Sequence, residues 1–279
     1  DENIVINVFG PDKEGVTYPT EEEILNVLKS VKAEELTAYV DKVSDEPLMK
    51  EAPKAGKIVK EENGPFGSTV WTLSNGVRVV IKPTDFKADQ ILMRAFSPGG
   101  TSLFGTKDAL QLKMLNNVAG VGGLGNFSNV DLEKVLAGKK ASINASVNGL
   151  TEGLSGSCSP KDMETMLQLT YLSFTAPRMD LDAFESFKNR TKAELANQEA
   201  NPMTALSDSL QYALYGNHPL AMRVKADMVD QIDYNLIMEM YKNRFMEAGD
   251  FTFLFVGNIN PDEAKPMIET YLGGLPTIQ

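Results

Sequence analysis

Histidine and cysteine are almost absent from this 279-residue chain, which contains one of each. A zinc site built on two imidazoles is therefore excluded, and so is an intrachain disulfide. The one cysteine, Cys158, ends a run of small residues at a predicted strand end, where a buried, unreactive thiol is expected. A catalytic cysteine would need a neighbouring imidazole to lower its pKa, and none stands near it in the sequence.

Long apolar runs and an excess of basic residues are also missing. No stretch of 18 or more apolar residues occurs, so the sequence predicts no membrane-spanning helix. The formal net charge is -11 and the pI about 4.7, which argues against a nucleic-acid partner and against docking on anionic lipid, because both need a basic face. The acidity mainly favours solubility. The opening at Asp1, without methionine or signal peptide, leads us to expect a segment of a longer protein.

Residues 1–44 are predicted to be the C-terminal strand and helices of a preceding domain. The apolar run Ile4–Phe9 predicts a buried strand. Thr20, followed three residues later by Glu23, predicts a helix that begins with a capping box. A second helix is expected at about residues 33–43.

Residues 45–67 are predicted to link this part to the next domain. Proline and glycine are frequent there, and they disfavour both helix and strand: Pro47, Pro53, Gly56, Gly64, Pro65 and Gly67. A flexible or surface-draped connector is one interpretation. The other is a strap packed on the next domain, since Leu48, Met49, Ile58 and Val59 are apolar enough to dock.

Residues 68–279 are predicted to form a two-layer α+β sandwich, in which helices cover one face of a mainly antiparallel sheet. Asn75-Gly76 and Asn148-Gly149 are typical of hairpin turns. Strands are expected at 69–73, 77–82, 89–97, 140–148, 152–158 and 251–257. The last of these is so uniformly apolar that it should be central or covered on both faces. Helices are expected at 107–118, 129–137, 160–176, 182–199, 202–215, 233–245 and 261–272.

Two local patterns suggest chemistry but have a simpler explanation. Gly120–Gly125 fits G-x-G-x-x-G, but it follows a helix and opens a loop, whereas a dinucleotide fingerprint follows a strand and opens a helix. We interpret it as a glycine turn at a helix C-terminus. His218 lies in Asn217-His218-Pro219 after a helix, and without partners it is interpreted as a structural or exposed loop histidine.

Five motifs in order resemble the pitrilysin/insulinase family of zinc metallopeptidases, which carry an inverted H-x-x-E-H motif. The motifs are Trp71–Val80, Ser97–Gly100, Tyr215–Pro219, Phe251–Asn258 and Tyr271–Pro276. The resemblance covers nearly the whole chain and implies a metallopeptidase/processing-peptidase-like fold. Long members of the family have four related domains in two halves that close on each other, and this chain is similar to the third domain preceded by the end of the second. Residues 45–67 would then link the two halves.

The resemblance also implies that the zinc chemistry is missing. The positions of the two histidines are occupied by Gln111 and Leu115, and that of the glutamate by Met114. None of the three is an ordinary zinc ligand. Glu194 lies at about the spacing from Leu115 that the family's third ligand keeps from its second histidine. It is a possible relic of that ligand, but alone it cannot hold zinc. The chain is therefore predicted to contain no catalytic, metal or cofactor-binding residue, with zinc expected in the first domain of the parent protein.

The predicted function follows from this degenerate motif. The chain should be a non-catalytic segment of a zinc endopeptidase that helps to wall a peptide-enclosing chamber, with an acidity that favours basic or neutral peptides. Its partners would be the remaining domains of the protease and a peptide or unfolded protein, in a periplasmic or envelope setting, without nucleic acid or membrane insertion. Alone it should bind no stoichiometric zinc and cleave no peptide. The alternative is a stand-alone scaffold or interaction protein of the same fold.

Overall fold

The computed structural model describes residues 4–10, 17–34 and 46–278. The chain divides into two compact units, residues 1–42 and residues 43–279. Each unit is described by itself below. Whether the first unit belongs to a preceding domain stays a prediction.

The first unit contains one described helix, α1 (Glu21–Ala33). The predicted capping box is present: the Thr20 N–H donates to Glu23 Oε2 at 2.7 Å, and the Glu23 N–H donates to Thr20 Oγ1 at 3.3 Å. The predicted strand Ile4–Phe9 is wrong, because residues 4–10 have no regular secondary structure and lie exposed. Strands exist only in pairs, and this run has no strand partner among the described residues. Most of the predicted second helix lies outside the described residues.

A seven-stranded sheet is the framework of the second unit. Its strands are β1 (Ile58–Asn63), β2 (Thr69–Leu73), β3 (Arg78–Pro83), β4 (Ile91–Pro98), β5 (Ala141–Val147), β6 (Thr151–Cys158) and β7 (Thr252–Gly257). They lie in the order β1-β2-β3-β7-β4-β6-β5. All pairs are antiparallel except β3 and β7, which run parallel.

Seven helices complete the unit as described: α2 (Ala109–Val118), α3 (Asn129–Val135), α4 (Met163–Thr175), α5 (Leu181–Glu199), α6 (Pro202–Tyr215), α7 (Tyr234–Phe245) and α8 (Pro261–Tyr271). Short 3₁₀ helices lie at Pro65–Gly67, Gly100–Leu103, Thr106–Asp108, Pro160–Asp162 and Ala226–Gln231. Helix α4 packs on β5 and β6 and contacts α7 and α8. The predicted α+β sandwich is confirmed.

The core lies on one face of the sheet because side chains alternate along each strand. In β4 the alternation is complete: Ile91, Met93 and Ala95 are buried, and Leu92 and Phe96 are exposed. Strand β7 is central, as predicted, but it is not covered on both faces. Phe253 and Phe255 point into the core, whereas Leu254 between them is 36% exposed. The unbroken apolar sequence thus marks a strand with one open apolar face.

Residues 46–67 contain more structure than their composition predicts. Leu48 is buried in a small cluster with Phe127, Leu132 and Leu169. Strand β1 contains neither proline nor glycine and pairs with β2 at the edge of the sheet, with a register shift between Ile58 and Lys60. The expectation that this stretch disfavours strand is therefore wrong for Ile58–Asn63, and Leu48 docks as the strap interpretation expects. Its role as a link between two halves stays a prediction.

Candidate functional site

The turn that precedes α2 is built around glycine and one buried carboxylate. Gly100 has φ of 64°, and a Cβ there would lie 2.2 Å from Asn148 O, so only glycine fits. The Gly100 N–H donates to Glu152 Oε2 at 2.5 Å. Glu152 is buried, and its other oxygen lies 3.8 Å from Arg244 Nη1. This turn therefore positions the start of α2 against the β5–β6 hairpin.

Gln111, the first motif position on α2, binds the segment that precedes α7 through its side-chain amide. Its Nε2 donates to Gln231 O at 3.1 Å, and its Oε1 accepts from the Asp233 N–H at 3.1 Å. Both ends of the amide are therefore used by the segment that leads into α7. A neutral amide held by two main-chain groups joins α2 to this segment of the fold.

Met114 and Leu115, the other two motif positions, are part of the hydrophobic core. Met114 is 6% and Leu115 0% exposed, and both belong to the cluster formed with α7 and the inner face of the sheet. In a catalytic helix these positions would hold a general base and a metal ligand. Here both positions are buried among apolar side chains, and neither carries the carboxylate or the imidazole of a catalytic helix.

Glu194 and His218 are not gathered with the motif helix into a metal site. Glu194 is exposed on α5, where its carboxylate accepts from Gln198 Nε2 at 3.4 Å. His218 is exposed in the loop after α6, and its carbonyl accepts from the Ala221 and Met222 N–H groups. Among the described residues, no group of three or more His, Cys, Asp or Glu side chains could hold a metal ion.

Lys113 on α2 makes a hydrogen bond that the sequence did not indicate. Its Nζ donates to the Met222 carbonyl oxygen, which joins α2 to the loop that follows α6. Burial lowers the pKa of this ammonium group below its ordinary value. A lysine next to apolar helix positions carries no sequence signal for such burial, because the same pattern is typical of a solvated helix face.

Cys158 and the glycine-rich loop are structural features. Cys158 is buried, and this burial raises the pKa of its thiol to about 12, so its thiolate is scarce at neutral pH. The loop Gly120–Gly125 follows the C-terminal end of α2, as predicted, and Asn129 Nδ2 donates to the Gly120 and Val121 carbonyls. The next helix, α3, begins only at Asn129, whereas the glycine turn of a dinucleotide site leads directly from a strand into a helix.

A cleft of about 390 Å³ lies between this loop, the C-terminal part of α2, α3 and strand β5. Its walls are mainly apolar, and they include Ala119, Leu124, Leu132, Leu136, Ile143, Leu169 and Pro177. One of its polar groups, the Tyr241 hydroxyl, already donates to Ser173 O at 3.0 Å. The cleft can therefore accept an apolar group, but it offers no acid–base pair.

Strand β5, which borders this cleft, is the last strand of the sheet among the described residues. Asn116 of α2 covers one point of its open edge: Nδ2 donates to Val147 O at 3.0 Å, and Oδ1 accepts from the Val147 N–H at 2.8 Å. The side-chain amide thereby replaces a neighbouring strand at Val147. Further along β5, residues 141–145 line the cleft.

The outer face of the sheet carries apolar and cationic side chains. Leu92 and Phe96 of β4 are each 48% exposed, and Leu254 lies beside Arg94 in the register of β4 and β7. The outward charged residues of strands β3, β4 and β7 are Arg78, Lys82 and Arg94, with no carboxylate among these described positions. No helix of the described part of the chain is long and apolar enough to cross a membrane.

Comparison with known proteins shows which proteins the chain is similar to. No protein-family model matches the chain. It is 28% identical over 267 residues to a zinc protease PQQL-like protein of Arabidopsis thaliana, a match that covers 95% of this chain and 25% of the relative. These similarities support a resemblance to the pitrilysin/insulinase-type zinc metallopeptidases. The resemblance deduced from the five motifs is thereby confirmed.

Solved structures agree on the fold of this family. The crystal structure of the periplasmic protease PqqL from Escherichia coli superposes with a TM-score of 0.72 at 22% identity and covers 94% of this chain and 29% of that one. A peptidase M16 inactive domain from Pseudomonas fluorescens has a TM-score of 0.59 at 18% identity, over 76% of this chain and 52% of that one. The chain spans about a quarter of the length of the curated relatives it matches, which are 22–27% covered.

Proposed function

We propose that the chain is a non-catalytic domain segment of a longer zinc-dependent metalloendopeptidase. The observation that carries the proposal is the state of α2, where the frame of the motif helix is kept but Met114 and Leu115 lie in the core and Gln111 binds backbone. The similarity to zinc proteases about four times as long supports it. Zinc and the catalytic groups would come from another domain of the same protein.

Within that protease, the outer face of the sheet would form part of the wall of a peptide-enclosing chamber. Three features support this role: the face is open in the second unit, it exposes Leu92 and Phe96, and it carries the guanidinium groups of Arg78 and Arg94. Apolar and cationic groups side by side suit unfolded peptide segments that contain carboxylates. The outward charges of strands β3, β4 and β7 thus favour acidic peptides, the opposite of the preference inferred from net charge.

The setting and the substrate follow from the same proposal. A periplasmic or envelope location is suggested by the similarity to a protein described as periplasmic. The bound molecule would be an extended peptide or unfolded protein, because the edge of β5 and the neighbouring cleft offer backbone pairing and an apolar site. The chain alone is predicted to bind no stoichiometric zinc.

The test is to purify this chain and the rest of its parent protease separately. Zinc content is measured by mass spectrometry, and cleavage is followed with fluorogenic unstructured peptides, for each part and for the mixture. The chain alone should show neither zinc nor cleavage, and the mixture should cleave. Zinc-dependent cleavage by the chain alone, abolished in Glu194→Gln, would contradict the proposal. A silent mixture would favour the scaffold alternative instead.

The chamber wall is tested in the mixture with Arg94→Glu, which reverses a charge on the outer face. We expect a higher KM for an acidic peptide with zinc content unchanged, because the substitution affects peptide binding and not the metal site. Lys242→Glu, a matched reversal on the exposed side of α7, should leave KM unchanged. Equal KM values for the two variants would reject the assignment of this face to the chamber.

A further inference from the structure

Helix α6 turns its polar side toward the rest of the second unit and its apolar side outward. Its partly covered side chains are polar, namely Thr204, Asp208 and Gln211, which recur at helical spacing on one side. The opposite side is an apolar stripe whose members are 58–66% exposed: Met203, Leu206, Leu210 and Leu214. No side chain of α6 is buried by the described residues. An ordinary surface helix has the reverse arrangement, with its apolar stripe toward the core.

Charged groups, rather than apolar packing, hold α6 in this orientation. Arg223 donates from Nε and Nη2 to the two carboxylate oxygens of Asp208, at 3.0 Å each. Glu199, at the end of α5, lies 3.8 Å from Arg223 Nη1 and accepts from the Ala226 N–H at 2.9 Å. A two-point guanidinium–carboxylate contact has a defined geometry, so it fixes which side of α6 faces inward. The outward apolar stripe is thus part of the folded arrangement.

The exposed surface of α6 also lacks charge. Asp208 is the one charged residue in the helix sequence, and it points inward. The adjacent helix α5 shows the usual surface pattern, with acidic and basic residues interspersed along its exposed sides. Charged residues are depleted in the centre of protein interfaces, which is more apolar than the rest of the surface. The α6 stripe shares the low charge and the apolar character of an interface centre, whereas α5 has the mixed charges of a solvated surface.

We propose that the apolar stripe of α6, formed by Met203, Leu206, Leu210 and Leu214, docks on another domain of the longer polypeptide. This inference rests on the proposed function, which makes the chain one part of a protease. The chain spans about a quarter of the curated relatives, so most of a relative's length lies outside the matched part and is available to cover the stripe. A membrane surface is the poorer occupant, because an interfacial helix carries Lys or Arg on its polar side and α6 has neither.

The experiment measures thiol accessibility in the 279-residue chain and in the longer polypeptide. Leu206→Cys reports on the stripe, and Ser186→Cys on the exposed side of α5 is the matched control. Both react with a maleimide under native conditions, and the ratio of the two labelling rates is the readout. The native Cys158 adds little background because it is buried. Thermal unfolding of each variant in the 279-residue chain should match the parent sequence, since both positions are exposed.

We expect the rate ratio of Leu206→Cys to Ser186→Cys to fall by at least about tenfold in the longer polypeptide, because a docked position reacts only after local opening. An unchanged ratio would overturn the proposal. Protection of Leu206→Cys in the 279-residue chain that grows with its concentration would also overturn it, in favour of a second copy as occupant. Peptidase activity is not a readout here, so a protected stripe in a protein without peptidase activity would reject the proposed function and leave the docking intact.

Discussion

Helices α2 and α6 have similar apolar sequences and opposite surroundings. Both carry leucine and methionine at helical spacing. In α2 these side chains are buried, with Leu112, Met114, Leu115 and Val118 all in the core, whereas the stripe of α6 faces away from the described residues. An apolar stripe therefore shows that a helix needs a cover, but it does not identify the cover. In α2 the cover is this domain, and for α6 we propose a different one.

Polar side chains determine which side of each helix faces the rest of the domain. In α2, Gln111, Lys113 and Asn116 reach backbone groups of neighbouring segments and fix the helix at its margins. In α6, Asp208 pairs with Arg223 and turns the polar side inward. A buried or half-buried polar group must find its partner, because leaving it unpaired costs more than the pair gains. Single polar residues thus set the orientation of helices whose apolar content is alike.

The largest effect is expected for Leu115→Ala in α2. The variant removes a fully buried side chain and leaves a cavity, so the free energy of unfolding should fall by about 2–5 kcal/mol. Urea unfolding of the 279-residue chain, followed by circular dichroism, measures it. A loss below 1 kcal/mol, by the same order-of-magnitude scale, would mean that α2 is less well packed than the structure shows.

Asn116→Ala should have the next effect. The Val147 N–H and carbonyl lose their partners at a buried position, which should lower the free energy of unfolding by about 1–3 kcal/mol. Asn117→Ala, at the exposed neighbouring position, is the control and should change stability by less than about 0.5 kcal/mol. Hydrogen exchange at Val147 should accelerate in the first variant and not in the second. Equal behaviour of the two variants would remove Asn116 from its role at the edge of β5.

Asp208→Asn tests the ion pair of α6 and its dependence on pH. The hydrogen bond from Arg223 holds the pKa of Asp208 below its ordinary value, so the pair stabilises the fold above the unfolded-state pKa, about 4. That contribution, about 1 kcal/mol for a partly exposed pair, is lost as pH falls through the lower folded-state pKa. Unfolding measured between about pH 6 and 2 should therefore be less pH-dependent in Asp208→Asn. Asp227→Asn, at an exposed position, should keep the parent profile; a parent-like profile for Asp208→Asn would contradict the role of the pair.

Leu210→Ala in α6 should have the smallest effect in the 279-residue chain. The side chain is already exposed, so its truncation should change the free energy of unfolding by less than about 0.5 kcal/mol. The contrast with Leu115→Ala, the same substitution in α2, is the sharpest test of the comparison. In the longer polypeptide, the proposed docking predicts that Leu210→Ala becomes destabilising. A loss above 1.5 kcal/mol in the short chain, on the scale of buried leucines, would show that α6 is covered within it.

Much of the fold could be predicted because its signals are local. Asn75-Gly76 and Asn148-Gly149 mark turns, the Thr20–Glu23 capping box begins α1, and Asn201-Pro202 begins α6 where expected. The errors concern long-range partners. Residues 4–10 have the composition of a strand but no partner among the described residues, and β1 has a poor composition but pairs with β2. Pairing is a property of two segments, so one segment's sequence does not determine it.

In the candidate site, too, residue types could be interpreted from the sequence, whereas the contacts of those residues could not. The loss of histidine ligands at Gln111 and Leu115 is visible in the sequence, because ligand chemistry depends on residue type. The contacts of these positions depend on what packs against α2: Gln111 binds the Asp233 backbone, and Leu115 lies in the core. The cleft beside β5 gave no sequence signal, since its walls come from α2, α3, β5 and the glycine-rich loop together.

The sequence by itself determined most of the helices and strands of the second unit, the absence of a two-histidine zinc site and the family resemblance. Each of these depends on residue identity and short spacing, which are readable without coordinates. Only the tertiary structure decided that the outward charged residues of β3, β4 and β7 are all cationic in a chain of net charge -11, and that α6 turns its leucines outward. Strand register and the partner of Arg223 join residues far apart in the chain. The free energy of such contacts exists only once both segments are in place, so local sequence cannot specify them.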